Sequence, residues 1–313
     1  MSVARGVAAV TGATGFLGRR LVPALAADGW RVRVLVRRTP PSDFWEGCVP
    51  ELVPGDLSDH AALRTLAADA DVLIHGAGLI KAARRSDFFA VNADGARNAA
   101  QAAPAGGLLL VSSLAAREPR LSDYAASKQA GEALALAVAG PRLTVVRPPA
   151  IYGPGDRETL ALFRLAGRSP ILPLPGPAAA RLALAHVDDV VAAIVELAGR
   201  PSRPALVAIG GARPEGYGWR EIFEAAAVAM GRHPRFLPVP AWCLRTAAAI
   251  SEAAGLMAAR PAVFTRGKAR EILHGDWSVS QSELASGGPP ARIGLEQGFA
   301  QTVAWYRAHG WLV

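Results

Sequence analysis

A doubly wound α/β fold, with a parallel sheet in its first half and a smaller, loop-rich and helical region at its C-terminal end, is predicted from three observations. Short apolar runs alternate with alanine-rich stretches from Val7 to Arg147, the rhythm of strand and crossover helix. The first run leads into a glycine-rich turn and then a helix-compatible segment. After Arg147 the texture changes to Pro148, Pro149, Gly153, Pro154, Gly155 and later Pro170, Pro173, Pro175, Gly176 and Pro177, the punctuation of loops. With 313 residues, 51% of them apolar, the chain can bury a large core and is too apolar to be disordered.

Taken in order, strands are expected at Val7 to Val10, Val32 to Val36, Leu52 to Val53, Val72 to His75, Leu108 to Ser112 and Leu143 to Arg147. Helices are expected at Gly18 to Asp28, Ser58 to Ala68, Phe88 to Ala103 and Tyr124 to Ala139, where apolar spacing fits a helical period. His186 to Leu197 reads as a further amphipathic helix with acids in its first turn, and Ala205 to Ile209 as another strand. The expected division is residues 1–150 as a Rossmann-type dinucleotide-binding domain, with 181–210 returning to it, and 151–180 plus 211–313 as a substrate-binding region.

Composition narrows the function classes. Thirty-four basic against 26 acidic side chains give a formal charge of +8, yet the arginines are scattered and no basic run is interleaved with aromatics, so no nucleic-acid partner is expected. Cys48 and Cys243 form no C-x-x-C pair; neither a disulfide framework nor a metal site is expected. Met1 to Val10 carries no charged leader or small-residue cleavage site, so no secretory signal is expected. The oiliest window, Ala241 to Ala259, is broken by Arg245 and Glu252, so no membrane span is expected and a cytoplasmic location is the default.

Thr11-Gly12-Ala13-Thr14-Gly15-Phe16-Leu17-Gly18 places G-x-x-G-x-x-G between a strand and a helix. Glycine serves there for a tight turn, for backbone approach to a pyrophosphate and for close helix packing, while the helix N-terminus offers free N–H groups. An ordinary glycine-rich turn is the competing reading. Nineteen residues past Gly18, where an NAD-binding chain presents an acid to the ribose, stand Arg37 and Arg38; two guanidinium groups favour a 2′-phosphate, hence NADP(H) over NAD(H), unless they are merely solvated. Asp56 and Leu57 follow the next strand, suited to the adenine amino group and ring.

Tyr124 and Lys128 lie four residues apart on an expected helix, hence on one face. A neighbouring ammonium lowers a phenol's pKa, as a proton donor to a ketone requires. Eleven residues before Tyr124, Ser113 follows a strand at the C-terminal sheet edge, where a hydroxyl can hold a substrate oxygen.

These residues resemble the short-chain dehydrogenase/reductase superfamily in its extended, epimerase-like branch. Thr11 to Gly18 resembles that branch's T-G-x-x-G-F-x-G, and His75-Gly76-Ala77-Gly78 its H-x-A-[AG]. Val91-Asn92 with Gly95 and Asn98, Arg147 to Asp156, and His186 to Val190 resemble further motifs in order. The resemblance implies a nicotinamide-dependent oxidoreductase in which Ser113 polarises a carbonyl, Tyr124 is acid or base, and Lys128 tunes it and holds the nicotinamide ribose. It implies cofactor contacts from Gly12, Thr14, Gly15, Phe16, Leu17, Gly18, Ala77, Gly78 and Pro148, roles for Asn92, Asn98 and His75 as structural anchors, and a homodimer built on two exposed helices.

Ser113 is followed by Leu114-Ala115-Ala116, not the acidic pair that sugar dehydratases of the branch use, and the V-Y-G and longer insertion of its epimerases are missing. A reductase is favoured over an NAD-dependent nucleotide-sugar epimerase or a non-catalytic NADPH-binding protein. Pro238 to Phe264 is oily, with Trp242, Leu244, Ile250, Leu256, Met257 and Val263, and Arg260, Arg266, Lys268 and Arg270 lie in or near it. This segment is either core of the substrate region or a face for a lipid substrate, with peripheral contact at an inner membrane surface. In this texture, with Lys268 to Trp277, the chain is similar to bacterial reductases of long-chain lipids, ceramide reductases among them, and at the same level to sterol and flavonol dehydrogenases; a 3-oxo lipid is the expected substrate.

Overall fold

A computed structural model describes residues 5–257, 264–284 and 290–312. Along the first half run β1 (Gly6–Thr11), α1 (Phe16–Ala27), β2 (Trp30–Val36), β3 (Glu51–Pro54), α2 (His60–Ala67), β4 (Val72–His75), α3 (Arg85–Phe89), α4 (Gly95–Ala102), β5 (Leu108–Val111), α5 (Asp123–Ala139) and β6 (Leu143–Arg147). The six strands join Leu206–Ala208 in a seven-stranded sheet, ordered Leu206–Ala208, β6, β5, β4, β1, β2, β3, every pairing parallel. Strand order reverses between β1 and β4, the place where doubly wound sheets open a crevice at their C-terminal edge.

Parallel strands covered on both faces must be apolar without alternation, and β4 and β5 are buried at every residue. Leu63, Leu66, Leu73 and Leu108 fill one layer against Ala96, Ala99, Ala100 and Ala135. Small residues on α4 and α5 let these helices lie close to the sheet. Local chemistry sets their ends: Asp59 caps α2 by accepting from the N–H groups of Ala61 and Ala62 at 3.0 and 2.9 Å, and Ser122 caps α5 through Ala125 N–H at 3.0 Å. Arg33, buried in β2, satisfies the last carbonyls of α2 with Nη1 bonds to Thr65, Leu66 and Ala68.

One expected helix is interrupted. The stretch expected as Phe88 to Ala103 is α3, a π turn at Ala90–Asp94, then α4. Asn92 lies in that turn, and a Cβ at Gly131 of α5 would collide with its carbonyl oxygen. Backbone packs directly on backbone there, and the widened turn accommodates it.

The described residues form two compact units, the first drawn from Met1–Pro148 and Val191–Ala208, the second from Pro149–Val190, Ile209–Leu284 and Pro290–Val313. Residues 181–190, expected with the nucleotide-binding half, group with the second unit, because Leu184–His186 pairs with Ala150–Tyr152 and not with the large sheet. Two more parallel pairs, Ile171–Leu174 with Arg235–Pro238 and Arg181–Leu182 with Asp276–Trp277, complete its strands. Its core is aromatic: Phe299 meets Tyr152 and Phe163 edge to face, each at 5.0 Å.

The oily segment is helical over Ala241–Met257, but three of its large side chains lie outside the core: Trp242, Ile250 and Met257 are 67%, 64% and 91% exposed, while Leu244 is half-buried and Ala248 buried. Arg260 and Val263 lie outside the described residues. Among the described residues no helix is long and apolar enough to cross a membrane.

The contact at Gly131 makes a direct prediction. Gly131→Val should destabilise the protein by about 1–3 kcal/mol through overpacking, read as a fall in thermal unfolding midpoint; an unchanged midpoint would mean α5 and the π turn separate freely.

Candidate active site

The turn after β1 is built for close approach. Gly12 has φ +74°, the left-handed region, and a Cβ there would stand 2.5 Å from the Ala77 amide nitrogen. A Cβ at Gly18 would run into the Gly12 carbonyl. Gly15 N–H bonds Gly12 O at 3.0 Å, and Gly15 caps α1 without any side-chain acceptor, so the helix keeps its positive end for an outside anion. Thr14 and Gly15 are exposed, Phe16 and Leu17 half-buried. Such a cradle, too tight for side chains and edged by backbone donors, fits a dinucleotide pyrophosphate.

Further residues follow β4, β2 and β3 in turn. Ala77 N–H reaches Thr11 Oγ1 at 3.4 Å, and a Cβ at Gly78 would lie 3.3 Å from Asn92 Oδ1 and 3.6 Å from Lys128 Nζ. Arg37 and Arg38 are exposed just past β2. Asp56 Oδ1 accepts from Ser58 Oγ at 2.6 Å and from Ser58 N at 2.8 Å; those bonds first, with Arg37 adding its charge, hold the Asp56 carboxyl below the usual range. Leu57 is fixed by Asn98, whose Nδ2 donates to its carbonyl at 2.9 Å.

α5 brings the reactive groups to this edge. Tyr124 is half-buried with its ring against Phe88. Lys128, 8% exposed, donates to Val111 O at 2.8 Å; burial draws its ammonium down to about 8, against an opposing pull from Glu132. Ser113 is half-buried, accepts from Ala115 N–H at 3.2 Å and opens the short turn Leu114–Arg117, which Pro148 steadies by accepting from Leu114 N–H at 2.8 Å. Asn92 is an anchor: Nδ2 donates to Leu79 O and Ser127 Oγ at 2.9 and 2.8 Å, and Oδ1 accepts from Leu79 N–H at 2.7 Å. His75 is buried, 2.7 Å from Thr11 Oγ1 through Nδ1, and burial with the Lys128 charge pulls its pKa down to about 3.

Gly12 and Ala77, Gly78 with Asn92 and Lys128, and Thr11 with His75 thus come together in one unit, with Ser113 two residues past the Val111 carbonyl that Lys128 holds and Tyr124 one turn before Lys128 on α5. Sequence reasoning missed Trp45, whose Nε1 donates to Ala13 O at 3.2 Å under the glycine turn, in a loop with no periodic signal. It also passed over Glu132, although Tyr124, Lys128 and Glu132 share a four-residue step. Chemically, Lys128 brings a buried ammonium to the glycine turn, and α5 and the end of β5 carry with it a phenol and a hydroxyl, the groups needed to hold a carbonyl oxygen and give it a proton.

The model of the NAD dependent epimerase/dehydratase family matches residues 8–210. A ceramide reductase of Caulobacter vibrioides is 53% identical over 311 residues, covering 99% of this chain and 97% of the relative. Sterol demethylase protein B of Methylococcus capsulatus is 34% identical over 171 residues, 47% of this chain and 52% of the relative. Among solved structures, MoeE5 in complex with UDP-glucose and NAD superposes with TM-score 0.70 at 23% identity, covering 97% and 99% of the two chains, a likeness of fold.

The neutral His75 carries a pH dependence. The unfolded chain takes up this proton near the ordinary value of 6.5 and the folded one only near 3, so the native state loses stability as pH falls through that window, at a limiting slope of about 1.4 kcal/mol per unit. Urea unfolding at pH 7 and below should show the slope in the parent and a shallower one in His75→Gln.

Proposed function

The chain belongs to the NAD-dependent epimerase/dehydratase family, and from that premise we propose that it is an NADPH-dependent reductase of a hydrophobic 3-oxo lipid, a 3-oxoceramide, forming the secondary alcohol. That it is an oxidoreductase working with a nicotinamide cofactor follows from the family and from a reductase 53% identical along nearly its whole length. The observation that supports the chemistry is the Lys128 Nζ bond to Val111 O, which sets α5, with Tyr124 one turn earlier, against the strand end that leads to Ser113, while Gly78 lies close to the same ammonium.

When bound, the reduced nicotinamide supplies a hydride to the carbonyl carbon and leaves oxidised. Ser113 Oγ donates to the carbonyl oxygen and orients the ketone. As the carbon–oxygen π pair moves onto oxygen, Tyr124 transfers its phenolic proton there, completing the alcohol, and the Lys128 charge steadies the resulting phenolate. Gly12, Gly15 and the start of α1 hold the pyrophosphate, Asp56 and Leu57 the adenine, and Ala77, Gly78 and Lys128 the nicotinamide half. Arg37 and Arg38 pair with a 2′-phosphate, which selects NADPH.

The lipid reading draws on the ceramide reductase relative and on the exposed face of Ala241–Met257. Trp242, Ile250 and Met257 offer apolar surface, and the exposed Arg245 lies among them, a composition suited to peripheral contact with an anionic bilayer on the cytoplasmic side, from which a water-insoluble substrate would be drawn.

Oxidation of NADPH in the presence of 3-oxoceramide, 3-oxosphinganine, a steroid ketone and a UDP-4-keto-sugar is the test. The 3-oxoceramide should turn over, and Tyr124→Phe should lower kcat by about 100-fold or more with cofactor affinity nearly unchanged. Turnover of the sugar nucleotide alone would replace the lipid reading with an epimerase, and cofactor binding without turnover would leave a binding protein. In the pair Arg37→Ser and Arg38→Ser, KM for NADPH should rise about tenfold or more while KM for NADH changes little; an unchanged preference would remove the 2′-phosphate role.

A further inference from the structure

Tyr124, Lys128 and Glu132 descend one face of α5 at four-residue steps, and the third has no part in the chemistry above. Glu132 is buried. Its Oε1 accepts from the Ser112 hydroxyl and from Arg147 Nε, the latter at 2.9 Å, while Oε2 accepts from Arg147 Nη2 at 2.5 Å. Two-pronged pairing of this kind fixes direction as well as distance. Both partners sit at strand ends beside the site: Ser112 follows β5, bonds Val146 O through its own N–H at 2.7 Å and precedes Ser113, and Arg147 is the last residue of β6.

We propose that Glu132 is a positioning residue for the reduction: through Ser112 and Arg147 it clamps α5 to the ends of β5 and β6, which holds Ser113 in register with Tyr124, and it places a negative charge one helical turn from the Lys128 ammonium. A buried ion pair is by itself weak support for stability, since well-packed apolar side chains do as well. Its place between a strand end adjoining Ser113 and the turn carrying Lys128 is what gives it a part in the reaction. The titratable and charged groups facing Lys128 include Glu132 from α5, His75 from β4 and, behind Glu132, Arg147 from β6, with Tyr124 one turn before it on α5. Glu132 favours the charged lysine and burial opposes it. Neutralising Glu132 removes the charge that favours the Lys128 ammonium, so Lys128 should lose its proton at lower pH.

The chain contains three lysines, Lys81, Lys128 and Lys268, so Lys128 can be followed by NMR of 13Cε-labelled lysine without cofactor or substrate. In Glu132→Gln its midpoint should fall by about half a pH unit or more, and Glu132→Asp should restore part of it. With NADPH and the ketone, kcat should fall about tenfold or more, KM for NADPH should stay within about threefold, and the alkaline limb of the rate profile should move to lower pH. An unmoved Lys128 midpoint with unchanged kcat, or a loss of thermal stability alone, would overturn the proposal. Should Glu132→Gln fail to fold, Ser112→Ala removes one arm of the clamp; kcat should drop several-fold with the Lys128 midpoint unmoved, and an unchanged kcat overturns the clamp. The kinetic arm rests on the ketone-reductase reading and the titration arm does not, so failure of one is told apart from failure of the other.

Discussion

Direct contact of backbone with backbone, at places where no side chain intervenes, is the constraint on which the site depends. Gly12 lies against Gly76 and Ala77, Gly18 against the carbonyl of Gly12, and Gly131 against that of Asn92. Each contact draws two elements together by roughly the thickness of a methyl group. The first two shape the cradle between β1, β4 and α1. The third seats α5, and with it Tyr124 and Lys128, against the turn that carries Asn92. Glycine is therefore a matter of distance in this unit, and of conformational freedom only where φ is positive, as at Gly12.

Charge is distributed with equal economy. Among its described residues, the interior of the first unit holds ionic groups that are met by partners: Arg33 by the carbonyls ending α2, Lys128 by Val111 O, Glu132 by Arg147 and Ser112. His75 takes the other course and stays neutral, bonded to Thr11. A cationic imidazole beside the Lys128 ammonium would put two like charges in one dry space. The result is that the Lys128 ammonium, drawn down by burial to about 8, is responsive to small changes around it.

Much of this was legible in the sequence, because parallel strands buried on both faces write themselves as plain apolar runs; Val72 to His75 and Leu143 to Arg147 agree residue for residue with the strands formed. The glycine turn, Tyr124, Lys128 and Ser113 were legible because their spacing has a chemical reason. What escaped depends on partners distant in sequence. The π turn at Ala90–Asp94 answers to Gly131, far along the chain. Glu132 looked like any helix glutamate until Ser112 and Arg147 closed on it. Leu184–His186 carries no mark of which strand it will join, and the composition of Ala241–Met257 does not say that Trp242 and Met257 face outward.

The strand pairs of the second unit bear on how the protein emerges from the ribosome. Arg181–Leu182 must wait for Asp276–Trp277, Ile171–Leu174 for Arg235–Pro238, and the aromatic core for Phe299 and Tyr306. Such pairings have high contact order and form slowly. Six strands of the large sheet, by contrast, are complete once Arg147 has been made. Synthesis from the N-terminus thus delivers the glycine turn before the second unit can close, and that unit stays open until Phe299 and Tyr306 have been made, with its apolar side chains exposed meanwhile to chaperones or to neighbouring nascent chains.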